Sequence, residues 1–314
     1  MQKLALNPSN GHVPVLANEV LTILAPAPGE SVLDCTLGLG GHAGLFLNAV
    51  SPGGQLIGLD ADHTNLVAAK KHLHSFESQI QLHRMNFRNA SSIPGLPIDI
   101  VFADLGLSSP HVDDPERGFT YRASGPLDLR YDRSSGQSAA EFILSSSVEE
   151  ITKVLREFGE IQRSYQLAKG LHIHFHTEAR HLNDWKTDDV VQCVEKVFTY
   201  RAPKVLPQVF QALRIAVNDE LGALRSLLDA LPAILKPGGR CGIISYHSLE
   251  DRMVKQHFRS LSTPVLDERT GQVATPAPWD LLTRKAVVAS AGETSLNPRS
   301  RSAKFRAIKR LSFD

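Results

Sequence analysis

The sequence predicts a doubly wound α/β sheet interrupted by a helical insertion. Three observations lead there. Short apolar runs alternate with helical patterns through the first third of the chain, as a parallel sheet with crossover helices requires. A glycine cluster follows the first apolar run. Between residues 113 and 206 the strand patterns give way to helical ones, and an apolar strand returns only at Arg240.

The elements follow in order. Ser31-Val-Leu-Asp-Cys-Thr-Leu37 reads as a first strand, ending at the turn Gly38-Leu-Gly40-Gly41, with a helix over 42–50. Gln55-Leu-Ile-Gly-Leu-Asp60 is a second strand. Leu66, Ala69 and Leu73 sit at helical spacing and predict a helix over 62–74. Residues 80–86 give a third strand and 98–104 a fourth. Helices are expected over 139–158, 163–174, 188–198 and 218–235, the last stopped by Lys236-Pro-Gly-Gly239. Residues 240–247 are a fifth strand. Ser248 is the expected cap of the next helix, with Asp251 as its capping-box acid. Residues 285–290 and 303–309 read as a late antiparallel pair. The expected organisation is thus 1–112 and 207–314 for the α/β domain and 113–206 for an inserted domain that recognises substrate.

Composition narrows the function classes. Of 314 residues, 42% are hydrophobic and 21% charged, enough to build a core and unlike a disordered chain. No apolar run approaches the roughly 20 residues that span a bilayer, and residues 1–10 lack the features of a signal peptide. A cytoplasmic protein without a membrane partner is the expectation. Cys35, Cys193 and Cys241 lie far apart without a Cys-x-x-Cys, which disfavours disulfides and zinc. His172, His174 and His176 lack a nearby acid or cysteine to complete a ligand set, so no metal is expected; they read as solvent-facing or as nucleic-acid contacts. Formal charge is +1, yet residues 297–310 carry Arg299, Arg301, Lys304, Arg306, Lys309 and Arg310 with no acid. That segment reads either as a solvated edge strand or as a contact for nucleic-acid phosphates.

The glycine turn lets backbone approach a ligand closely, and on spacing alone it also fits a dinucleotide fingerprint. Asp60, ending the second strand, is placed to accept the hydroxyls of an adenosine ribose, or to cap the next helix. Ligands of such sheets bind beyond the carboxyl ends of the strands, which here supply Gly40, Asp60, Phe87 and Asp104. The Leu235-Lys-Pro-Gly-Gly239 turn before a strand resembles that of class I methyltransferases, a Rossmann-like fold using S-adenosyl-L-methionine.

A narrower resemblance covers nearly the whole chain. It rests on His12-Val-Pro-Val-Leu16, Gly40-Gly-His42, Asp104-Leu-Gly-Leu-Ser-Ser-Pro110, Asp113-Asp-Pro-Glu-Arg-Gly-Phe119, Gly125-Pro-Leu-Asp-Leu-Arg130, Phe210-Gln-Ala-Leu-Arg-Ile215, Val217-Asn-Asp-Glu-Leu221, Ser245-Tyr-His-Ser-Leu-Glu-Asp-Arg252 and Asn297-Pro-Arg-Ser-Arg-Ser302. These blocks resemble the bacterial RsmH (MraW) family, which methylates the N4 amine of a cytidine in the decoding centre of 16S ribosomal RNA. The resemblance implies cofactor contacts at Gly40, Gly41, His42, Asp60, Phe87 and Asp104, and one at His111, where the family often has Gln. Leu39 stands where the family commonly has Arg, so any contact by that side chain is lost.

The cytosine amine is a weak nucleophile, because its lone pair is delocalised into the ring. Asp104, or a carbonyl of the 105–110 loop, could accept its N–H and favour the reactive form; a cofactor-only role is the alternative for Asp104. Arg299, Arg301, Lys304 and Arg306 are the candidate substrate contacts. A methyltransferase of DNA or protein, or a non-catalytic RNA-binding assembly factor, are the competing readings.

Overall fold

The computed structural model describes residues 14–177 and 179–312. His12 and Val13 of the first sequence block lie outside the described residues. The chain forms two compact units, one of 1–106 with 222–314, the other of 107–221. The helical unit is therefore wider at both ends than the 113–206 read from the sequence.

The first unit is built on strands β1 (Ser31–Asp34), β2 (Gln55–Asp60), β3 (Ile80–Arg84), β4 (Ile98–Asp104), β5 (Leu235–Ser245), β8 (Trp279–Leu281), β9 (Val287–Val288) and β10 (Lys304–Arg310), with β6 (Val265–Leu266) and β7 (Val273–Thr275) forming a separate ribbon. The main sheet runs β3-β2-β1-β4-β5-β10-β8, with β9 also beside β10. β1 to β5 are parallel, and β10 runs antiparallel to β5. The order reverses between β1 and β4, which opens a crevice at the carboxyl ends of those strands.

The apolar strands are explained by burial on both faces. Leu33, Ile57, Val101 and Ile243 pack with Leu224, Leu227, Leu231 and Phe258 on one side. Their neighbours Val32, Leu56, Ile100 and Ile244 pack with Leu24, Phe46, Leu47 and Phe305 on the other. Cys35 and Cys241 are small core residues here, and Cys193 is equally buried in the helical unit.

Several boundaries moved for local reasons. The helix His63–His72 starts at Asp62, whose carboxylate accepts from Thr64 N at 2.8 Å; Asp62 rather than Asp60 is the cap. β5 begins at Leu235, absorbing the Lys-Pro-Gly-Gly turn, with an irregular register opposite Ile98 and Ile100. The helix Ser248–Leu261 is capped by His247 with Glu250, one residue earlier than the expected Ser248 and Asp251. β10 is not an edge strand, because β5 covers one side and β8 and β9 the other.

In the helical unit the single helix expected over 139–158 is two, Ala139–Ser145 and Val148–Glu157. Each has its own capping box, Ser138 with Glu141 and Ser147 with Glu150. Ser164–Thr177 and Thr187–Phe198 follow, then Ala202–Asn218. Pro203 and Pro207 obscured this last helix in the sequence. Pro203 sits in its first turn, where no N–H is needed, and the buried Leu206, Val209, Phe210 and Leu213 keep helical spacing. Among the described residues no helix is long and apolar enough to cross a membrane.

Candidate active site

The glycine turn connects β1 to the helix Gly41–Val50. Gly40 has φ +84°, a left-handed conformation that disfavours other residues, and a Cβ there would lie 3.2 Å from Leu73. A Cβ at Gly41 would lie 3.0 Å from Pro14, so Gly41 is constrained by the protein's own packing. The helix has no side-chain cap. Its first-turn N–H groups have no intrahelical partner, which suits an anion such as a carboxylate.

Asp60 ties the turn to the end of β2. One carboxylate oxygen accepts from Gly38 N at 2.9 Å and Asn65 Nδ2 at 3.2 Å, and the other from Asp62 N at 2.8 Å. Its orientation is fixed before any ligand arrives. Phe87 begins a short helical turn after β3 and is half-buried, packed against the core together with Met85. Met85 N donates to Asp60 O at 3.0 Å, which brings this aromatic segment to the same end of the sheet.

Asp104, at the end of β4, is the centre of a second cluster. Tyr246 Oη donates to its Oδ1 at 2.7 Å, and His42 Nδ1 lies 3.5 Å from its Oδ2. His42 Nε2 is 2.9 Å from Val15 O. A carbonyl only accepts, so that nitrogen carries the hydrogen. Burial raises the Asp104 pKa above the usual carboxylate range, opposed by His42 and the Tyr246 hydrogen bond. Burial first, then the charge of Asp104, pushes the Tyr246 hydroxyl well up, so it stays a donor. The Asp104 side chain keeps 23% of its surface exposed and remains accessible.

Asp34 lies beneath these groups, 1% exposed. Burial pushes its carboxyl up to about 7, helped by the charges of Asp104 and Asp60 and opposed by the hydrogen bond from Thr36 N. Asp34, Asp60 and Asp104 thus lie close enough for their charges to repel one another. An incoming positive charge is what such a group of acids favours.

The structure thus brings Gly40, Gly41, His42, Asp60, Phe87 and Asp104 to one end of the sheet. Both ring nitrogens of His42 face the protein, which leaves its backbone N–H as the group open to a ligand. His111 lies in the helical unit, 3% exposed, its ring 5.1 Å from Phe119 and 5.2 Å from Tyr131. Tyr246 was missed as a separate site residue. Its signal was present, since it follows the fifth apolar run directly. A surface cleft lined by 51–55, Ser78 and Gln79 lies at the amino end of β2, away from Asp60.

The basic segment is corrected in part. Arg306 Nε binds Asp251 Oδ1 at 2.7 Å, and Lys304 Nζ lies 3.4 Å from Asp251 Oδ2. Arg310 donates to the carbonyls of Pro232 and Leu235. The acid partner came from residue 251, more than 50 positions away in sequence, so the local run concealed it. Arg301 is exposed, and Arg299 is half-buried. His174 is also corrected: Nε2 lies 3.0 Å from Asp189 Oδ1 and the side chain is 13% exposed, so it is a structural partner rather than a solvent-facing group. His176 and His172 stack at 4.0 Å between ring centroids.

A parallel sheet of order 3-2-1-4-5 with an antiparallel strand beyond it, a glycine turn after β1 and an acid closing β2 define a class I methyltransferase that uses S-adenosyl-L-methionine. The groups present fit that cofactor: uncapped N–H groups for its carboxylate, an oriented acid for its ribose, an aromatic for its adenine and nearby acids for its cationic end. The sequence profile of the MraW methylase family matches residues 9–311, and the chain belongs to that family. It is 42% identical over 309 residues to the ribosomal RNA small subunit methyltransferase H of Anaeromyxobacter sp. (strain K), covering 96% of this chain and 98% of that one. It is 40% identical to the proteins of the same name from Prosthecochloris aestuarii and Symbiobacterium thermophilum, covering 96% of this chain and 96% of each of theirs.

Proposed function

We propose that this protein methylates the N4 amine of a cytidine in the decoding centre of 16S ribosomal RNA, in the cytoplasm and on the small ribosomal subunit. The observation that carries this reading is the Asp104 carboxylate, held by Tyr246 and His42 beside the glycine turn. The relatives' shared name and the sequence blocks in the family's order support the substrate.

S-adenosyl-L-methionine, when bound, supplies a methyl group on a sulfonium, already activated for transfer. The backbone at Gly40, Gly41 and His42 holds its carboxylate, Asp60 its ribose hydroxyls, and Phe87 packs beside its adenine. His111 is a further cofactor contact on the strength of the resemblance. Much of the rate comes from holding the acceptor in line, and proximity is worth roughly 7–11 kcal/mol when geometry is productive.

Asp104 performs the acid–base work. A carboxylate has about four lone-pair sites, and Tyr246 addresses one of them. The remaining sites accept the amine N–H and draw the nitrogen lone pair out of the ring. As the N–C bond forms, the amine gains positive charge and must lose a proton, which Asp104 is placed to take. Tyr246 fixes the carboxylate rotamer. Arg299 and Arg301 contact RNA phosphates, and the helical unit recognises the substrate. Lys304 and Arg306 instead hold Asp251.

The test is methylation of small subunits that lack the modification, followed by nucleoside mass spectrometry. N4-methylcytidine at a single decoding-centre position is expected, and Asp104→Asn should lower turnover at least a hundred-fold with little change in cofactor affinity. Methyl label on DNA or protein instead, or equal losses of turnover and cofactor affinity, would overturn the reading.

A further inference from the structure

The geometry points to an RNA-docking corner on the helical unit, where Tyr200 stacks an unpaired base and Arg163, Lys196, Arg201 and Lys204 hold the flanking phosphates. This deepens the proposed function and rests on RNA being the substrate. The helix Thr187–Phe198 ends there, and a three-residue turn, Thr199–Arg201, leads into Ala202–Asn218. Phe198 anchors the turn at 8% exposure, while Tyr200 is 82% exposed. Thr199 adopts φ +49° with ψ −120°, an unfavourable conformation for a β-branched residue, and this abrupt reversal leaves Tyr200 outside.

Two of these four cations have fixed contacts beside the turn. Arg201 Cζ lies 5.6 Å from the Tyr200 ring centroid, and its Nε is 3.2 Å from the hydroxyl. Arg163 donates to Val197 O at 2.8 Å and sits 5.7 Å from the Phe198 ring centroid, which fixes it beside the turn. Lys196 and Lys204 are exposed. Among the described residues none of these four forms an ion pair, and within 195–204 the one acid is Glu195. An exposed aromatic with one cation on it and others within four positions along the chain is what a single strand needs: every base offers a π-face, and each phosphate a charge. A protein partner would favour a wider apolar patch, whereas here Tyr200 stands among charges.

The test uses a short fluorescein-labelled single-stranded RNA of mixed sequence, its duplex, and small subunits lacking the modification. Tyr200→Ala should weaken single-strand binding roughly ten-fold, Tyr200→Phe should retain it, and duplex binding should barely change. Replacing Lys196, Arg201 and Lys204 by Gln should reduce the slope of log affinity against log salt by about 2. Equal affinity for Tyr200→Ala, or parallel salt lines, would overturn the inference. So would variants that bind naked RNA normally but fail on small subunits, an outcome that assigns the corner to a ribosomal protein. Wild-type methyl transfer to the subunits, scored in the same samples, separates the two proposals. Transfer with an indifferent Tyr200→Ala removes the corner alone, and absence of transfer removes the proposed function whatever the RNA binding shows.

Discussion

Two basic regions of this molecule look alike in sequence and differ in structure. Along β10 Arg306 and Lys304 share Asp251 and Arg310 binds backbone carbonyls, while Lys309 is exposed. At the Tyr200 corner Arg201 touches an aromatic ring and Arg163 a carbonyl, Lys196 and Lys204 are exposed, and no ion pair is formed among the described residues. The difference teaches that a charge run has meaning only after its partners from elsewhere in the fold are subtracted. A strand with neighbours on both sides positions its side chains against those of the next layer, and a sharp helix–helix turn presents them to solvent.

The acids obey the same rule. Asp251 has its cations built in, and their hydrogen bonds hold its carboxyl below the usual range against the opposing effect of burial. At the crevice, burial together with the charges of Asp104 and Asp60 raises Asp34 to about 7. An incoming cation relieves that repulsion.

The comparison breaks most visibly at Asp251. Asp251→Ala leaves Arg306, whose side chain is 12% exposed, without its counter-charge. A loss of about 2 kcal/mol is expected in chemical denaturation, below the range for fully buried pairs because this one is partly hydrated. RNA affinity should hold. Unchanged stability with altered RNA affinity would mean that the β10 cations serve a ligand after all.

Asp34 sharpens the contrast from the acidic side. A carboxyl raised in the folded state binds protons that the unfolded chain has lost, so its contribution is present below pH 3.8 and is lost as pH rises through about 7. Asp34→Asn should therefore stabilise the cofactor-free protein by about 1–2 kcal/mol at pH 8 and not at pH 4, the new buried amide offsetting part of the gain. Thermal melts at the two pH values measure this. An equal effect at both would show that Asp34 already has its partner within the protein.

The smallest effect belongs to the corner. Gln at Lys196, Arg201 and Lys204 should change stability by no more than about 0.5 kcal/mol, because no ion pair is broken. A larger loss on denaturation would show that these cations are structural, as those of β10 are.

Much of the fold was legible in the chain. Runs such as 98–104 are apolar at successive positions because both faces of a parallel strand are covered, and no other arrangement buries them as well. The glycine turn and Asp60 announce themselves, because a close backbone approach and an oriented carboxylate demand those residue types at strand ends. The late antiparallel pair was legible too. The helix Ala202–Asn218 was hidden by Pro203 and Pro207, although Leu206, Val209, Phe210 and Leu213 keep its spacing.

What the sequence by itself determined is the local chemistry: which segments alternate, where backbone must turn, and which family blocks are present. What only the tertiary structure decided is partnership. Asp251 meets Arg306 across 55 positions, and Tyr246 reaches Asp104 across 142. Periodicity reports a residue's own helix or strand, whereas an ion pair or a shared proton depends on which elements the sheet order sets side by side. For that reason the chain alone could name Asp104 and the basic segment but could not say that Tyr246 holds the first, or that Asp251 takes Lys304 and Arg306 of the second.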